Sequence, residues 1–346
     1  MKGKITQVYA GLFAGLIFVF LGCKYNHLGR LPLWAVCLEI LIMISALAIL
    51  LLPSYLLHKS TGCDASDIFI GKASVGKIVF SSLYCILFVF ACVRFISLYA
   101  DILITALNPD ANKFVFAAGI LLVCAYSAYK GVFTVTRSAL LCAVVTALFV
   151  IIFLLGNISD IEISNLYRSN STDDFFVGAF SLLPVCILPV IFSVISGSFS
   201  HKKSAFFGFL ITALVSACLL VFFMNTVLAD YADGREFPYF ILAKNASFGQ
   251  MTSFDFLYMI CISLCVFVVG AMLLCCINEI TGAQKRGKNT AVFTLLIFVL
   301  YICTEFFPKA KELVHNDIIF AVMCAVYSLV MPIYAYFKLK GGIKNV

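Results

Sequence analysis

Charge is what this sequence has least of: only 12% of its 346 residues are Asp, Glu, Lys or Arg, while 63% are hydrophobic. Ordinary soluble domains carry about a quarter charged residues, so a water-soluble globule is excluded at the outset. A polar stretch long enough to fold around its own core is also missing. Length alone would suggest two soluble domains, but the mean hydropathy of +1.08 points to one integral membrane domain over 1–346. Catalytic signatures are absent too: the chain has no HExxH, no P-loop and no GxSxG. Its four histidines fall in loops or at segment ends, so no intramembrane pair could ligate haem. The loops gather no carboxylate cluster fit for a metal. The expectation is a non-enzyme with no cofactor and no metal. There is no CxxC pair, and thirteen of the fifteen cysteines lie inside apolar runs, where a thiol behaves as a small hydrophobe. Cys23 and Cys63 alone lie near loops. The tract "FVFLGC" (18–23) mimics a lipoprotein signal, but nine further apolar runs follow it and the first run is needed as a span.

What the chain does have is ten apolar segments: 5–22, 32–56, 78–107, 114–131, 136–156, 175–199, 204–228, 252–280, 291–307 and 316–338. A hydrocarbon core of about 30 Å needs about 20 such residues as helix, and backbone in lipid must satisfy itself internally. The sequence therefore predicts an all-α polytopic membrane protein of ten transmembrane helices. Placing the amino terminus and alternate loops on one side gathers 15 Lys and Arg there against 8 opposite, with Arg94 inside the membrane. Both termini are then cytoplasmic. The net charge of +7 follows from this topology and gives no support for nucleic-acid binding.

Ten helices divide into two sets of five, about 5–156 and 175–338. Because five is odd, the second set would cross the membrane inverted. Transporters of that design interrupt the first helix of each half at the midplane, where freed peptide groups bind solute. The breakers sit accordingly: Gly11 and Gly15 in "AGLFAG" (10–15), and Pro184 and Pro189 in "SLLPVCILPVIFSVISGS" (181–198). The candidate solute-binding residues are thus Gly11, Phe13, Ala14, Gly15, Pro184, Val185, Cys186 and Ile187. The competing reading of the two glycines is a small-xxx-small seat for a neighbouring helix.

Arg94 lies near the middle of the third segment, where an uncompensated charge costs several kcal/mol. Asp101 is two turns on along the same face, about 10 Å away, with Ser97 and Tyr99 between. Arg94, Tyr99 and Asp101 are read as an interior polar stripe that contacts or gates solute, or else as one side of an ion pair to another helix. Glu39 is expected at a partly hydrated outer rim, and Glu279 in a surface pair beside Lys285 and Arg286.

Several local stretches carry a family resemblance. "YSAYKGVFTVTRSALL" (126–141) has a Lys-Gly turn followed by an Arg, "SHKKSAFFG" (200–208) a basic turn, and "LNPDANKF" (107–114) a short turn. "REFPYFILAKNASFGQMTSFDFLYM" (235–259) reads as an amphipathic outer segment with Pro238 and Asp255. In order and spacing these resemble the spore germination permeases, the B-subunits of germinant receptors within the amino acid permease superfamily. The resemblance implies a leucine-transporter-type bundle with helices one and six broken, sensing or passing a small nutrient such as an amino acid. It also implies A- and C-subunit partners in the inner membrane of a spore. The chain departs from the pattern where Phe13 precedes Ala14-Gly15, where Cys186-Ile187 follows Pro184-Val185, and where the run around Val269 and Gly270 lacks a lysine. Three expectations follow: a ligand-binding receptor subunit, a free-standing secondary carrier driven by protons or cations, and a structural subunit with a vestigial pocket. A carrier coupled to protons should keep a titratable group near the break, which favours the receptor subunit.

Overall fold

Each apolar segment becomes a helix in the computed structural model, which describes residues 3–22, 33–61, 75–106, 110–167, 182–200, 203–228, 236–248, 251–252, 254–282 and 286–343. The helices are α1 (Ile5–Leu21), α2 (Leu33–Thr61), α3 (Val75–Ala106), α4 (Lys113–Lys130), α5 (Val132–Leu155), α6 (Ile187–Ile195) and α7 (Lys203–Phe223). They continue with α8 (Pro238–Asn245), α9 (Asp255–Thr281), α10 (Arg286–Phe306), α11 (Pro308–His315) and α12 (Asp317–Ile343). The first turn before α6 and the last turn after it are 3-10, so the apolar helix as a whole runs Leu183–Ser198. Among the described residues, eight helices are long and apolar enough to cross a membrane, and α1 and Leu183–Ser198 are shorter apolar helices beside them. Cys23, Cys63 and the predicted start of the sixth segment (175–181) lie outside the described residues. The other thirteen cysteines are free, ten of them wholly or partly buried.

Burial sorts the helices into layers. The apolar window of α9 is 78% buried and that of α10 only 22%, which puts α9 on the bundle axis and α10 against lipid. In a bilayer an outward apolar side chain meets acyl chains, so uniform hydropathy does not tell core from rim; close packing does. One continuous core joins α1, α3, α6 and α9, with α2, α4, α5, α7, α10 and α12 around it.

Turn chemistry sets the corner between α4 and α5. Gly131, between α4 and α5, has φ of 100°, a conformation L side chains resist. An added Cβ there would also stand 2.5 Å from the guanidinium of Arg286. Arg286 in turn donates to Glu279 at 3.0 Å, the surface pair expected from the sequence. Glu39 is the exception: it is 1% exposed rather than at a hydrated rim, because its position on α2 turns inward.

Candidate functional site

The sequence places the solute site where α1 and α6 meet, and the two helices do meet. They do not, however, come apart there. α1 is a continuous 17-residue α-helix through Gly11, Phe13, Ala14 and Gly15. A Cβ at Gly11 would collide with the Met272 sulfur of α9 and lie 3.4 Å from Ala139 of α5. At Gly15 it would lie 2.6 Å from Leu188 Cδ2 and 3.1 Å from Val269 Cγ2. The glycines therefore seat neighbouring helices, the small-xxx-small reading, and the expected break in helix one is corrected.

Helix six is described from Leu182 onward. Pro184 stands in the first turn of the 3-10 stretch Leu183–Cys186, and Pro189 in the first turn of α6. In a first turn the missing N–H has no helical acceptor to lose. Pro184 therefore costs its 3-10 stretch no hydrogen bond, while Pro189 is the seventh residue of the continuous helical run Leu183–Ser198, just past the change of geometry. Pro184, Val185, Cys186 and Ile187 are all buried, packed against α1, α2 and α12. Cys186 and Ile187 mark the change from 3-10 to α geometry.

The backbone leaves the helix at other points, which sequence reasoning missed. Strand β1 (Gly3–Lys4) before α1 pairs in parallel with β2 (Phe199–Ser200) after α6. A Cβ on Gly3 would lie 2.5 Å from the Phe199 ring and 3.1 Å from Phe133. Only glycine allows the two strands this close. The signal was present in the polar run Ser196, Gly197, Ser198, which ends the helix.

Of the predicted residues, Gly11, Ala14 and Gly15 share the junction with Pro184 to Ile187. Phe13, on the opposite side of α1, lines a separate groove of about 390 Å³ against α5 and α7. Leu188, Val269 and Met272 make the close contacts and were not foreseen. The side chains in close contact with Gly11 and Gly15 are apolar.

Charge is collected on one face of the second half of α3. Arg94, Ser97 and Asp101 are spaced three and four residues apart, one face of a helix, and α10, α11 and α12 converge on that face. Arg94, 6% exposed, donates from Nη1 to Val314 O at 2.9 Å and pairs through Nη2 with Asp317. Its guanidinium also stands 4.8 Å from the centre of the Phe320 ring. The Glu305 side chain, 2% exposed, accepts from Ser97 Oγ at 3.0 Å, from Lys311 at 3.1 Å and from Lys113. Lys311 also reaches Asp101 Oδ1 at 3.1 Å, and His315 Nε2 lies 3.2 Å from Ser97 Oγ. Three cations and three carboxylates thus form two groups, Arg94 with Asp317, and Lys113 and Lys311 with Glu305 and Asp101. Arg94 and Asp101 take different partners, so the reading of Arg94 as one side of an ion pair to another helix holds. Tyr99 points away from both groups, its hydroxyl 3.2 Å from Ser263 Oγ of α9.

Burial opposes the charge on Lys311, but Asp101 and then Glu305 outweigh it and hold the ammonium above its ordinary 10.5. A raised lysine stabilises the fold below its unfolded value and loses that contribution as pH rises through the folded one. Lys311→Met should therefore be less stable than the parent up to about pH 10.5, with the deficit shrinking at higher pH. Unfolding of both proteins in detergent across alkaline pH checks this.

Comparison with known proteins gives two findings. The family model described as "spore germination protein" matches residues 31–313. No curated protein matches the sequence. Among solved structures, the chain is similar to a Na+-coupled sialic acid symporter in a substrate-bound outward-open state. The identity is 13% and the TM-score 0.50, over 94% of this chain and 83% of that one. At that identity the likeness is one of fold.

Proposed function

The chain belongs to the spore germination protein family, and on that premise we propose that it is the nutrient-sensing membrane subunit of a spore germinant receptor. A small solute such as an amino acid binds where α1, α3, α6 and α9 meet, by parting contacts that are closed in this state. Counting α1 and Leu183–Ser198 as spans gives ten helices in two inverted sets of five, in a leucine-transporter-type bundle. Each set then begins with its short helix, and both termini are cytoplasmic. The A- and C-subunits of the receptor, in the spore inner membrane, would receive the signal.

One observation favours sensing over carrying. Gly11 and Gly15 are faced by Met272, Ala139, Leu188 and Val269, while Arg94 and Asp101 are held in ion pairs with Asp317 and Lys311. A carrier coupled to protons or cations needs a titratable or oxygen-rich group that changes partners with the solute. Here the close contacts at Gly11 and Gly15 are all made by apolar side chains. Opening the junction would change helix packing, which a bound partner can read, with no ion moved.

The test is binding of an amino-acid panel to the purified full chain, followed by thermal stabilisation, with and without Na+ and at two pH values. At a concentration 100 times its Kd, a solute that binds the folded state adds about 2.7 kcal/mol. That gain should be the same under all four conditions. Binding that requires Na+ or tracks proton concentration would favour the free-standing carrier instead.

A further inference from the structure

On the outer surface of the bundle, α2 and α12 part to leave a groove of about 690 Å³ with a proline in each wall, Pro53 and Pro332. Both prolines lie within their helices, where each removes a backbone hydrogen bond. The helices pack again beneath, through Leu57, Ala335 and Tyr336. Along α2 the wall is apolar from Ile49 to Leu57 and then turns polar at Lys59 and Ser60, both exposed. From Ile49 to Ser60 the helix rises about 16 Å, close to one leaflet of a hydrocarbon core about 30 Å thick. The groove is therefore one leaflet deep, greasy below and cationic at its mouth.

We propose that this groove holds one anionic phospholipid, its acyl chain against Pro53 and Pro332 and its phosphate at Lys59. A helix of another protein fits the walls less well. Close helix packing in lipid uses small residues, whereas here Ile49 is 60% exposed and Phe337 69%. Such protruding, bendable walls suit a flexible chain. The lipid would fix the spacing of α2 and α12, the helices that flank Pro184 to Ile187 from either side. This site is independent of the solute reading and stands or falls separately.

The chain's single tryptophan makes the test direct. Trp34→Phe combined with Leu56→Trp puts the only indole at the groove, in full chain reconstituted into phosphatidylcholine nanodiscs. Brominated phosphatidylglycerol should quench it at about fivefold lower mole fraction than brominated phosphatidylcholine, the preference one basic residue gives near a membrane. Lys59→Glu should erase the preference, and millimolar inorganic phosphate should leave it unchanged. Equal quenching by the two lipids would overturn the proposal, as would displacement by phosphate alone. So would an indole shielded from both lipids, with Leu56→Cys cross-linking between copies, since a second copy would then fill the groove.

Discussion

Glu305→Ala should lower the stability of the folded protein by about 3–5 kcal/mol, the cost of removing one partner from a buried ion pair. Its carboxylate is 2% exposed and answers two ammonium groups, Lys113 and Lys311, together with Ser97. Removing it leaves two cations facing one another across α4 and α11, with Asp101 alone to balance Lys311. Unfolding in detergent, read by loss of helical signal, measures the effect. The same wiring makes a sharper prediction for Arg94. Arg94→Asp should be comparably damaging, and Asp317→Arg should restore part of the loss by re-forming the pair in reverse. Asp101→Arg should restore none, because Asp101 is joined to Lys311 and not to Arg94. Rescue through Asp101 would mean that the ion pairs are wired differently.

The second large effect belongs to the helix junction. Gly15→Leu would put four carbon atoms where even the first lies 2.6 Å from Leu188 and 3.1 Å from Val269. Adding single methylenes to a packed core costs about 1–3 kcal/mol; Gly15→Ala should fall in that range and Gly15→Leu above it. The strain has to be relieved by moving α1 away from α6 and α9. Solute response should then be lost in Gly15→Leu at matched protein levels, and weakened in Gly15→Ala. Gly119→Ala is the control: nothing lies within 4 Å of its Cβ position, so stability should change by no more than about 1 kcal/mol. A normal response in Gly15→Leu would remove the junction from the signalling path.

These two sites differ in how far the sequence revealed them. The helices were legible because a run of apolar residues in lipid has one way to satisfy its backbone, and the predicted segment ends that lie among the described residues fall within several residues of the observed ones. Arg94 was legible as an interior charge because no lone guanidinium faces acyl chains cheaply. Its partner was not. Asp101, two turns away on the same helix, was the nearest carboxylate in sequence, while Asp317 stands 223 residues on. Glu305 could have been found by the same rule that singled out Arg94, since it lies inside the predicted segment 291–307.

The prolines flank a change of geometry that spacing alone did not locate: helix six passes from 3-10 to α at Cys186 and Ile187, between Pro184 and Pro189. The glycines were correctly seen as sites of close approach. What approaches is the side chains of Leu188, Val269 and Met272, which periodicity alone did not pick out among so many apolar residues. Family membership carried the functional reading further than either motif did.

Hydrogen exchange of the purified chain, with and without a bound nutrient, tests the central claim most directly. Without solute, the amides of residues 8–16 in α1 and 187–195 in α6 should be among the slowest to exchange, as their packing requires. Bound solute should change exchange in both segments together, while the ion pairs of Arg94 and Glu305 stay as they were. A nutrient that binds and leaves both segments untouched would contradict the account.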